Sequence, residues 1–205
     1  REKDEINTIG FTAEVNSKIT KNWSANSGIE LYADKVNSSR EDINIVNNSY
    51  SFSRGLYPNN SRYGNYAIYS LHQVLLNKWQ LDAGARWNVL RIRIDDAALG
   101  RVFIKPAALV GNLAALYRLS RTNALFASYS TGYRAPNIDD LGTLGVVDFR
   151  YEVPTANLSP ERSRNLEIGY KLNHRKFSLK AGLFYMHLDN IITRVKKEGE
   201  LINGY

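Results

Sequence analysis

Apolar residues in this chain recur at every second position, and that period points to β-strands with one apolar face each. In Thr8 to Val15, Ile9, Phe11, Ala13 and Val15 alternate with Thr8, Gly10, Thr12 and Glu14. Trp23, Ala25, Ile29, Leu31 and Ala33 share a parity against Ser24, Asn26, Glu30, Tyr32 and Asp34. A third strand sets Ala67, Tyr69, Leu71 and Leu75 against Ser70 and His72, blurred by Ile68 and Val74. A fourth sets Trp79, Leu81, Ala83, Ala85, Trp87 and Val89 against Gln80, Asp82, Gly84, Arg86 and Asn88. Leu109, Leu113, Ala115, Tyr117 and Leu119 make a fifth, and Leu125, Ala127, Tyr129, Thr131 and Tyr133 a sixth. Leu166, Ile168, Tyr170 and Leu172 give the seventh, and Phe177, Leu179, Ala181, Leu183 and Tyr185 the eighth.

These strands run to about ten residues, against five or six in an ordinary globular sheet. About ten tilted residues is what a barrel strand needs to cross a bilayer. The connections sort by length. Short turns fall at 16–22, 77–78, 120–123 and 173–176, and long ones at roughly 35–62, 92–104 and 135–162. This strict alternation predicts an all-β fold: an antiparallel transmembrane β-barrel segment of about eight long strands. A β-sandwich has no reason to sort its loops by end.

The opposite face carries Glu14, Glu30, Asp34, Arg86, Arg134, Glu167, Lys171 and Lys180. Glycines at 10, 28, 84, 132, 169 and 182 lie on it too, which suits a wall with something packed inside. Trp23, Tyr63, Tyr69, Trp79, Trp87, Tyr117, Tyr133, Tyr170 and Tyr185 are read as rings at the lipid boundary, where polar-tipped aromatics belong. The net charge of +7 is spread along the chain, and no RNA-binding motif accompanies it, so nucleic acid is not the partner read here. With no cysteine there is no disulfide and no thiolate ligand. No segment reaches the ~18 apolar residues of a membrane-spanning helix. The charged start, Arg1 to Glu5, is not a signal peptide.

Two phrases carry a family likeness: "TGYRAPNIDDLG" at 131–142 and "TANLSPERSRNLEIGYK" at 155–171. With "KWQLDAGARWNV" and "AGLFYMHLDNIITRV", they resemble the barrel of TonB-dependent outer-membrane receptors, over most of residues 66 to 195. The resemblance implies uptake of a scarce nutrient such as an iron chelate, haem or cobalamin. It implies the outer membrane of a Gram-negative bacterium, with lipid around the barrel. It also implies a TonB-type inner-membrane protein that supplies energy through a plug domain. The whole of 1–205 then reads as part of one barrel domain, without plug or remaining strands. Glu200 to Tyr205 would open another strand. In the family's receptors for haem proteins the corresponding loop carries a histidine. Residues 137–156 have none, which counts against haem and leaves Tyr151 as the residue there with affinity for iron.

Gly132, Tyr133, Arg134, Ala135 and Pro136 are expected at the outer rim, facing Asn157, Leu158, Pro160 and Glu161. The prolines cannot donate to a ladder, so pairing stops and the loop between them leaves the wall. Arg134 and Glu161 are expected to pair and tie the loop ends together. Tyr50, Phe52, Arg54, Tyr57, Arg62 and Tyr63 form a ring-rich, cationic stretch that makes a candidate ligand loop together with Tyr151. His72 is placed inward, and His174 and His187 near opposite ends. No metal centre and no cofactor are expected. Asp139-Asp140 has no histidine nearby, and no catalytic residues are assigned. Two alternatives stand beside the receptor: a complete eight-stranded barrel with a structural or adhesive role, and a soluble β-sandwich binding module.

Overall fold

A computed structural model describes residues 1–96, 100–147, 150–153, 155, 158–196 and 199. Asn157 and the last stretch, 200–205, lie outside the described residues. All eight expected strands are present: β1 (Glu2–Lys18), β2 (Trp23–Asn44), β4 (Ser61–Leu76), β5 (Trp79–Asp96), β7 (Ala107–Arg118), β8 (Asn123–Arg134), β11 (Glu161–His174) and β12 (Phe177–Asp189). Short additions lie in the long connections: β3 (Ser49–Arg54), β6 (Gly100–Ile104), β9 (Gly145–Val147), β10 (Arg150–Glu152) and the helix α1 (Ile138–Gly142).

The sheet is an antiparallel meander in the order β1-β2-β4-β5-β7-β8-β11-β12, with β3 on β2 and β6 on β5. Among the described residues β1 and β12 do not pair with each other, so these strands do not close into a small barrel of their own. Tight turns join the strands at one end, and Asn77 in the β4–β5 turn takes φ 50°, a left-handed conformation that asparagine tolerates.

Register decides the faces. Phe11, Leu31, Tyr66 and Val89 stand abreast, as do Ile68, Trp87 and Leu109. Leu113, Tyr129, Leu166 and Tyr185 continue the same face. This apolar face is the open one: Leu109 is 74% exposed, Leu113 62% and Trp87 54%. Arg86 and Glu30, on the other face, are only 30% and 25% exposed and pair at 2.5 Å. A sheet in water buries its apolar side. This one shelters charge and shows rings and branched chains outward.

One strand is corrected. In β4 the outward set is Tyr66, Ile68, Ser70, His72 and Val74, because Ile68 faces Ile29 and Trp87. Ala67, Tyr69, Leu71 and Leu75 face inward, where Tyr69 donates to Glu14 at 3.0 Å and Arg86 lies over its ring. A slip of one residue exchanges the faces, and β4 has apolar residues on both, so alternation alone misled. His72 therefore faces outward, and Tyr63 and Tyr69 leave the lipid-side set of rings. The outward polar groups satisfy one another: Trp23 Nε1 donates to His72 Nδ1 (3.2 Å), His72 Nε2 meets Ser70 (2.9 Å), and Ser70 meets Ser27 (2.7 Å). At the short-turn end Trp79 and Tyr117 pack at 4.7 Å between centroids.

The inward glycines are filled from within the sheet. A Cβ on Gly28 would meet the Tyr69 hydroxyl at 2.6 Å, and one on Gly169 the Phe126 ring at 2.5 Å. Rings from neighbouring strands lie across these glycines.

The strands outrun their expected ends at the long-loop side. In β5 the outward apolar series closes at Val89, and burial passes to Leu90, Ile92 and Ile94 on the inward face. In β2 it passes to Val36. The strand continues while the apolar phase shifts by one residue. A core forms there from Val36, Ile92, Ile94, Val102, Ile138 and Leu141.

Candidate functional site

The rim is built where β8 stops. Arg134 is the last residue of β8 and faces Glu161, the first of β11. Pro136 follows, fully buried and without an N–H to continue pairing. Arg134 Nη1 donates to Glu161 at 3.0 Å, and Nη2 to both oxygens of Asp140 at 2.8 and 3.0 Å. Bonding to Asp140, foremost, raises the guanidinium's already high pKa. Asp140 is held in turn by a capping box: its amide donates to the Asn137 side chain (2.8 Å), and its carboxylate accepts from the Asn137 amide (3.0 Å). Glu161 also accepts from the Ile192 amide at 2.7 Å, which draws in the segment after β12. Arg194 from that segment reaches Asp139 at 3.2 Å and Glu152 at 2.6 Å.

The expected Arg134–Glu161 pair is therefore present, within a larger network. The Asp139-Asp140 doublet is divided between two arginines, an arrangement for holding a loop. The ladder stops at Arg134 and Glu161 and the loop leaves the sheet there, as expected, but it folds back onto the rim. Ile138 and Leu141 of α1 pack into the core with Tyr57, Tyr63, Ile104 and Leu158 around them. The Leu144 amide donates to Leu56, joining this loop to the one before β4. Gly132 lies beside Ser163, its register partner. Among the described residues the Tyr133 hydroxyl, Asp34 Oδ1, Asn165 Oδ1 and Glu152 Oε2 are buried without a hydrogen-bond partner.

The candidate ligand loop divides. Tyr50 and Phe52 stand on β3, 61% and 79% exposed, with Arg54 at the base of the same hairpin facing Ser39. Tyr57 and Tyr63 pack on the core, where burial raises both hydroxyl pKa values. Tyr151 lies on β10, opposite Val146 of β9. Arg62 is a correction: it lies in the wall within β4, between Lys35 and Arg93 and below the β3 hairpin, while the outward parity it takes is shared by Tyr50, Phe52 and Arg54, which face Ile43, Glu41 and Ser39 of β2. The residues missed by sequence reading are Asp140, Asn137 and Arg194. Asn137 and Asp140 had a legible signal, a capping pair three apart before Leu141. No group of three or more His, Asp or Glu side chains placed to hold a metal occurs among the described residues.

Residues 2–199 match the family model described as TonB dependent receptor-like, beta-barrel. No curated protein matches the chain. Among solved structures, the copper transporter OprC superposes with a TM-score of 0.78 at 13% identity, over 93% of this chain and 31% of that one. The haemophore receptor HasR of Serratia marcescens, solved with its haemophore HasA and haem, gives 0.73 at 18% identity, over 93% and 34%. The FrpB iron transporter of Neisseria meningitidis gives 0.67 at 16% identity, over 90% and 29%. The chain thus spans about a third of the length of these proteins. Each is a transporter or receptor, none an enzyme. An inside-out antiparallel sheet with its loops sorted by end, matched over nearly its whole length by that model, belongs to the TonB-dependent receptor family.

Proposed function

We propose that residues 1–205 form part of the barrel wall and outer rim of an outer-membrane receptor that imports a scarce nutrient. A TonB-type inner-membrane protein energises it through a plug. The single observation that carries this reading is the inverted sheet, with an exposed apolar face and a sheltered polar one. Such a face is stable against acyl chains. The polar face would line a lumen holding a plug. Family membership supports transport, and the similar structures are named for copper, iron and haem.

The nutrient best suited to the rim is an anionic iron chelate. Tyr50 and Phe52 offer flat contact area, with Arg54 beside them. The arginine-held loop with Tyr151 forms the adjoining surface. Absence of histidine from residues 137–156 argues against haem as the cargo. The test is uptake of radiolabelled ferric chelates by cells carrying the full-length receptor. Uptake is expected to stop when the TonB-type protein is deleted. Replacing Tyr50 and Phe52 by alanine is expected to lower it severalfold at unchanged surface level. Uptake indifferent to the TonB-type protein would refute the proposal.

A further inference from the structure

Three cations stand abreast on the outward face: Lys35 of β2 faces Arg62 of β4, and Arg62 faces Arg93 of β5. All three are exposed and lie beyond their strands' apolar series: Lys35 directly after Ala33 on β2, Arg62 past Gly64 on β4 and Arg93 past Arg91 on β5. On β5 that series runs from Trp79 to Val89, roughly 33 Å along the strand and about 25 Å in height once tilted, a hydrocarbon thickness. Arg91 is the next outward residue and lies over the Tyr66 ring at 5.4 Å. Arg93 follows, about 5 Å higher.

Directly opposed like charges disfavour a sheet. Among the described residues no carboxylate stands in an ion pair with any of the three. Glu5, which feels Lys35, is bonded by Asn7 and paired with Lys3 at 3.7 Å. Asp95, next above Arg93 on the same face, is taken by Arg101 at 3.4 Å. By contrast Arg164, the first outward residue beyond the apolar series of β11, has Asp189 at 3.7 Å.

We infer that Lys35, Arg62 and Arg93, with Arg91 below, form a binding site for the phosphorylated headgroup of an outer-leaflet glycolipid. Its acyl chains would lie along the apolar face beneath. The position selects a lipid over a soluble anion. The phosphate meets the cations only at the top of the apolar band, where a lipid headgroup is anchored by its own chains. This site rests on the outer-membrane reading above and is separate from the ligand loop. It also explains Arg62, which lies in the wall below the β3 hairpin.

The test uses full-length receptor purified in detergent. It is titrated with bisphosphorylated lipid A, with dephosphorylated lipid A and with inorganic phosphate, and binding is read by native mass spectrometry. Lipid A is expected to bind the wild type. The triple variant Lys35→Gln, Arg62→Gln, Arg93→Gln is expected to bind it at least about tenfold more weakly. Dephosphorylated lipid A should match that weak level. Equal binding by wild type and triple variant, or by both lipids, would overturn the site. Inorganic phosphate competing at concentrations equal to lipid A would make it a free-anion site and overturn the lipid assignment. If the triple variant fails to assemble, Arg62→Gln alone should bind severalfold more weakly than wild type, and unchanged binding overturns the site. Fractionation of the wild type and its TonB-dependent uptake, measured separately, speak to the receptor reading alone.

Discussion

At the scale of the residue, Arg134 holds the rim, because its two ends bond carboxylates from different elements. Arg134→Ala would leave Asp140, whose side chain is 10% exposed, facing no guanidinium. With Arg134 itself 45% exposed, solvent screening limits the loss to about 1 kcal/mol. The expected outcome is faster proteolysis of the loop at 135–160 in the full-length receptor, with the barrel intact. Arg134→Lys keeps the charge and loses the fork, and should fall between. Leu141→Ala removes a fully buried side chain from the rim core and should cost more, about 2–4 kcal/mol, by the same proteolysis readout. The Arg134–Glu161 pair was legible in sequence because prolines at 136 and 160 mark where two neighbouring strands lose their ladder. Arg194 was not legible. It lies 33 residues beyond Glu161 and reaches the loop only because β11 and β12 form a hairpin that brings the chain back to the rim.

At the scale of the element, strand existence followed from period two, while strand ends did not. Val89 to Leu90 reads as an end because alternation breaks there. The backbone in fact pairs on to Asp96, and its burial moves to the other face. That change of phase marks where the strand leaves lipid and begins to build the rim core. Strand β4 failed differently, since Ile68 and Leu71 are apolar on opposite faces. The corrected face has a direct consequence. Ile68→Arg puts a charge against lipid and should destabilise the assembled receptor by about 2–4 kcal/mol. Tyr69→Arg, on the inward face, should cost much less. Urea unfolding of the full-length receptor in lipid vesicles checks both, and the sequence-derived face would reverse the order.

At the scale of the whole molecule, eight strands leave β1 and β12 as edges among the described residues. Edges with unpaired backbone groups, beside a wide apolar face, recruit other chains. The isolated 205-residue chain is therefore expected to self-associate in detergent-free buffer, as read by sedimentation velocity. A stable monomer there would favour the β-sandwich alternative. The architecture was legible because loops sorted by length reveal which end of each strand faces which compartment. The packing of α1 into the rim was not, since five helical residues carry little period of their own.

The central claim is that the exposed apolar face meets lipid. This segment has no cysteine, so single cysteines can be placed at will. The most direct measurement labels the full-length receptor with a fluorophore at outward positions 68, 113 and 183, and at inward positions 67, 114 and 128. The labelled receptor is then reconstituted with brominated lipids. Strong quenching at the outward set with little at the inward set is the expected result. Equal quenching of both sets, or quenching of the inward set alone, would contradict the account.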